Sequence, residues 1–138
     1  MDSMMVFDNE NVSVVNKEVG FSVQGGSDVT KNLFSLMAAR YRKDMVYISH
    51  RLDKPTTGLV LLPKNLRTAQ LLGKAMENRE GLEKYYLAIT EGREIQRSKG
   101  VLSSHVEWSS KHKARVSHEI SGNERSQLAE TGYRVLKS

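Results

Sequence analysis

Asp53 is the residue whose surroundings most invite chemistry. It lies in SHRLDKPTTGLVLLPKN, residues 49–65, two positions after Arg51 and three after His50. An arginine is always charged and its planar fork matches a carboxylate. A nearby cation favours the ionised carboxylate, the form that acts as nucleophile or base. Gly58 allows a backbone conformation other residues resist, and the apolar run Leu59–Leu62 would anchor the turn. The competing reading is a Pro-Thr turn steadied by an ordinary ion pair, and on residue types alone that reading leads.

Other candidates carry weaker signals. Tyr85 and Tyr86 are adjacent in EKYYLAIT, which reads as a strand, so they face opposite sides and only one can enter a site. His105, His112 and His118 are scattered without an acidic or cysteine partner pattern, which predicts no metal site. SSKHKARVSH offers Lys111, Lys113 and Arg115 in one short polar stretch, suited to phosphate contact or simply to solvation.

The elements that must position these residues follow from periodicity. Alternation predicts strands near Val12–Val15 and Phe21–Val23, joined by a turn at Glu18-Val19-Gly20. VTKNLFSLMAARYRK reads as a helix capped by Thr30, with Leu33, Leu36, Met37 and Tyr41 at helical spacing. A strand over Gly58–Leu62 ends at Pro63, and Asn65 caps a second helix with Leu66, Ala69, Leu72 and Met76 on one face. EKYYLAIT, VLSSHVEW, ARVSHEI and AETGYRVL complete the strands. The expected class is α+β: a mixed, mostly antiparallel sheet with two packed helices, in a single domain over residues 1–138.

Composition narrows the function. At 138 residues, 38% hydrophobic and 27% charged, the chain suits one globular domain. Cysteine is absent, which excludes disulfides, Cys-ligated zinc and a thiol nucleophile. The net charge of +5 favours polyanionic partners. The acidic N-terminus lacks the apolar core of a signal peptide and no run is long enough to span a membrane, so an intracellular, cytoplasmic protein is expected.

The order of residues reverses the first judgement on Asp53. HRLDKPTTGLVLLPKN closely resembles the His-Arg-Leu-Asp…Thr-Ser-Gly-Leu-Leu-Leu…Ala-Lys motif of the RluA-type RNA pseudouridine synthases. His50, Arg51, Leu52, Asp53, Thr56, Gly58, Leu59, Leu61 and Lys64 match by position, while Thr57 stands for the usual Ser and Pro63 for Ala. Upstream, Asn16, Lys17 and Gly20 resemble the family's Asn-Lys-Pro-x-Gly, with Glu18 replacing Pro. Downstream, Lys84, Tyr86, Leu87, Ala88 and Gly92 resemble Lys-x-Tyr-Leu-Ala…Gly, and Ala129, Thr131, Tyr133 and Val135 resemble Ala-x-Thr-x-Tyr-x-Val. Met76 departs from a usual Phe, and the resemblance is weakest from Gln96 to Arg125.

The resemblance implies a partial pseudouridine synthase catalytic fold that isomerises uridine to pseudouridine in transfer or ribosomal RNA, without metal or organic cofactor. Asp53 would be the catalytic carboxylate. Tyr86 would stack on the flipped uracil and Arg51 would orient the aspartate. His50, Thr56, Lys64, Lys84, Lys111, Lys113 and Arg115 would contact RNA. The family's late Gly-Arg-x-His-Gln-Ile-Arg-like motif, whose basic residue pairs with the aspartate, is missing. The expectation is therefore the N-terminal portion of a catalytic domain, able to self-associate through exposed strand edges. A catalytically incomplete RNA-binding protein of the same fold is the alternative, and a basic ribonucleoprotein component a distant third.

Overall fold

A computed structural model describes residues 2–25, 32–42, 45–78, 81–92, 97–108, 114–117 and 126–137. The class is α+β, with two helices and antiparallel sheets. The strands divide between two three-stranded sheets rather than joining one, and the chain forms two compact units, Met1–Tyr86 and Leu87–Ser138.

In the first unit, β1 (Met5–Asp8), β2 (Val12–Lys17) and β3 (Gly58–Pro63) pair antiparallel in that order. Alternation sets the inward face of β2 as Ser13, Val15 and Lys17, all fully buried. Their register partners on β3 are Leu62, Val60 and Gly58. Helix α1 (Leu33–Tyr41) adds Leu33 and Met37, and Met4, Val23 and Val46 close the core. Burying each such side chain stabilises by roughly 1.5–3 kcal/mol. Helix α2 (Leu66–Asn78) lies against β3. Asn65 caps it as expected, its Oδ1 accepting the Thr68 N–H at 2.9 Å. Ala69, Leu72 and Met76 are half-buried, but Leu66 is exposed and does not belong to the packed face.

Two readings near α1 are corrected. Phe21–Val23 is not a strand; it touches Asn32 through a single bridge at Ser22. Its carbonyls serve the helix instead. Leu33 N–H donates to Ser22 and Phe34 N–H to Val23, each at 2.9 Å, satisfying donors that a first turn leaves open. That fixes the helix start, so Asn32 is the cap, its Oδ1 accepting from Ser35 N–H at 2.8 Å. The expected cap, Thr30, lies outside the described residues. Strand β1, short and largely exposed, escaped the periodicity reading.

In the second unit, β4 (Lys99–Trp108) is flanked by β5 (Ala114–Ser117) and β6 (Ser126–Arg134). The expected strand EKYYLAIT is absent: residues 82–91 form no ladder. Its β-branched and aromatic composition describes a side-chain preference, and a strand exists only where backbone partners are present. Ile89 is fully exposed there. No helix among the described residues is long and apolar enough to cross a membrane.

Candidate active site

Asp53 opens a tight turn closed by the Thr56 N–H on its own carbonyl at 3.0 Å. The next carbonyl, of Lys54, accepts the Gly20 N–H at 2.9 Å and lies 3.4 Å from the Lys17 ammonium. Lys17 also donates to the carbonyls of Phe21 at 2.9 Å and Glu18 at 3.2 Å. A buried ammonium needs such acceptors, because desolvation without them is prohibitive. Burial pushes the Lys17 pKa down, and the negative charge of Asp53 pulls it the other way. Lys17 thus ties the β2–α1 connection to the Asp53 turn, and it is the cation that senses Asp53.

The far side of the turn is equally fixed. Gly58 has a φ of +127°, a conformation side chains resist, and Leu52 Cδ1 would lie 3.9 Å from a Cβ there. Leu52, Ile48 and Val46 pack on the core, holding the motif down. On the free edge of β3, Leu61 N–H donates to His50 Nε2 and Tyr47 N–H to the Pro63 carbonyl, both at 2.9 Å. An accepting Nε2 is unprotonated. Burial, reinforced by the charge of Lys84, pushes the His50 pKa down and favours that neutral ring.

The expected RNA-contact residues therefore separate. His50 is half-buried and spends its Nε2 on the strand, and Thr56 is half-buried in the turn. Lys64 is bound to Asp8 at 2.5 Å with its side chain only 10% exposed, and its ammonium sits 4.0 Å from the Tyr41 ring centroid. Asp8 also accepts from Tyr41 at 2.5 Å and Ser13 at 2.7 Å. Burial opposes its ionisation, but these hydrogen bonds and the Lys64 charge outweigh burial and lower its pKa to about 2. Lys84 is exposed and close enough to His50 to influence its charge. Arg115 lies in β5 in register with Glu107, while Lys111 and Lys113 fall outside the described residues.

Asp53 and Arg51 are both exposed, and Arg51 makes no ion pair with a described residue. Tyr86 is 63% exposed and Tyr85 85%, the latter donating to Glu83 at 2.5 Å. Strand alternation does not separate the two tyrosines, since the ladder it assumes is not there. Lys17 is the site residue that spacing could have revealed. It continues the inward parity of Ser13 and Val15, and an inward lysine must find oxygen partners.

What these residues build is a carboxylate presented to solvent on a turn whose backbone is braced from both sides. The chain belongs to the RNA pseudouridylate synthase family, whose profile matches residues 11–138. It is 31% identical over 135 residues to "Ribosomal large subunit pseudouridine synthase C" of Rickettsia bellii, covering 97% of this chain and 44% of that protein. The protein of that name in Escherichia coli (strain K12) is 29% identical over 90 residues, 64% of this chain and 28% of its own length. The chain thus spans less than half of these relatives. Among solved structures it is similar in fold to "Human RNA Pseudouridylate Synthase Domain Containing 4", with a TM-score of 0.64 and 20% identity over 99% of this chain and 55% of that one.

Proposed function

We propose that this chain is the part of an RNA pseudouridine synthase catalytic domain that carries the essential aspartate, and that Asp53 is that residue. The observation that carries the reading is the turn itself: an exposed carboxylate whose backbone is fixed by Thr56, Gly20 and Lys17. In the reaction, the N1–C1′ bond of uridine breaks and a C5–C1′ bond forms. The C5 proton leaves and N1 gains one, so the change is an isomerisation. A fixed carboxylate suits it because the uracil must turn while the ribose stays placed.

The uridine must first leave its stack, at a cost of about a few kcal/mol. An exposed aromatic can return roughly 1–3 kcal/mol by stacking, the role we assign to Tyr86. Arg51, which makes no ion pair with a described residue, is left to hold the nucleotide or to reach Asp53 once RNA is bound. The relatives' names favour ribosomal RNA over transfer RNA as the substrate.

The test is chemical mapping of pseudouridine in ribosomal RNA incubated with the protein and with Asp53→Asn. Wild type should introduce a modification that Asp53→Asn abolishes, while both bind RNA with the same salt dependence. Equal RNA binding with no modification by either protein would instead establish a binding module of this fold.

A further inference from the structure

The second unit presents a feature that the catalytic turn does not explain. Lys99 and Arg134 are direct register partners on β4 and β6, so they stand side by side on one face of the sheet. Like charges directly opposite on a sheet destabilise it. Both side chains are exposed, and neither makes an ion pair or hydrogen bond with a described residue. The nearest acidic position on that face of β6 is Glu130, which is engaged by Ser103 Oγ at 2.9 Å. It lies four residues from Arg134, or ~13 Å along a strand, beyond the screening length of ~8 Å in physiological salt.

The surface around the pair is backed by a continuous ladder and is open. The ladder continues past it, Val135 N–H donating to the Ser98 carbonyl at 2.7 Å. Two more exposed cations, Arg97 and Lys137, lie within two residues of that bond in sequence. The next pair on the same face is Val101 with Gly132, and nothing lies within 4 Å of where a Cβ on Gly132 would stand. Cations without a described partner on a paired ladder, beside a position without a side chain, are suited to a polyanion lying across the sheet.

We propose that the Lys99–Arg134 pair is a phosphate-contact site, on the second unit, that grips the RNA backbone. This rests on RNA being the substrate, but the contact is with phosphate and carries no sequence preference. Each phosphate neutralised releases counterions, so the pair should appear directly in the salt dependence of binding.

The experiment measures affinity of the full chain for a uridine-free single-stranded RNA across a salt series. Pseudouridine formation on ribosomal RNA is measured separately, so a failure of the enzyme reading shows itself independently. Lys99→Gln/Arg134→Gln should flatten the log K against log salt slope by roughly 1.4, at about 0.7 per phosphate on single strands. Its thermal midpoint should stay level or rise as the like-charge contact is removed, and the charge-preserving Arg134→Lys should keep the wild-type slope. Arg67→Gln/Lys74→Gln, which removes the same charge from α2, should change the slope less. An unchanged slope in the Lys99/Arg134 variant, an equal change in both double variants, or no binding of the probe by wild type would each overturn the site.

Discussion

The two units solve the problem of staying folded differently. Among the side chains described, every buried apolar one lies in the first unit, between Met4 and Pro63. In the second unit no residue whose side chain is described is buried, and Val101, Leu102, Val116 and Leu128 are all at least half exposed. The first therefore draws its stability from burial. The second relies on ladder hydrogen bonds and cross-strand pairs, such as Tyr133 covering Gly100. The lesson is where precision can be kept. A carboxylate that must not move is mounted on the unit with the core, while the second sheet offers surface.

That contrast can be broken at its strongest point. Leu62→Ala should cost about 2–5 kcal/mol in denaturant unfolding of the first unit, because Leu62 is wholly buried. The matching Leu102→Ala in β4 should stay within about 0.5 kcal/mol, as for surface substitutions generally. Equal costs would mean that Leu102 is covered. A smaller effect is expected at Lys17→Met, which removes the ammonium donor from the Glu18 and Phe21 carbonyls and leaves the Lys54 carbonyl with the Gly20 N–H alone. About 1–3 kcal/mol should be lost, and pseudouridine formation should fall further than stability does.

The smallest effect is a pH dependence. His50 has a lowered pKa in the folded protein, so on acidification the unfolded chain takes up the proton first, near its ordinary value of 6.5. Stability contributed by the neutral ring is present above that pH and is lost as pH falls from 6.5 towards the folded value. His50→Gln, whose amide oxygen can still accept from Leu61, should remove this component from a pH series of unfolding midpoints.

Much of this was legible wherever one residue decides one local bond. Asn65 capped α2 as read, because an Asx side chain reaches an amide three residues on. The stripe of α1 followed from its period, and the strand from Gly58 from an apolar run bounded by Gly58 and Pro63. What was not legible depended on partners distant in sequence. Thr30 and Asn32 are both competent caps, and the Ser22 and Val23 carbonyls chose between start points. Residues 82–91 have every local mark of a strand and no ladder. The Asp53–Arg51 ion pair, natural from their spacing, is not made, and the cation that senses Asp53 comes from Lys17, far along the chain. The motif's order pointed to Asp53, whereas spacing alone could not say which groups brace it.

The Lys54 carbonyl, which receives both Gly20 and Lys17, belongs to the backbone and is supplied by any amino acid at that position. The lysine side chain there is exposed, so replacing it leaves the carbonyl that steadies the neighbouring aspartate. Gly20 has no such latitude, since its φ of +87° penalises a side chain and its amide makes the bond. A substitution at position 54 can thus change the charge beside Asp53 while the backbone bonds beneath it stay in place.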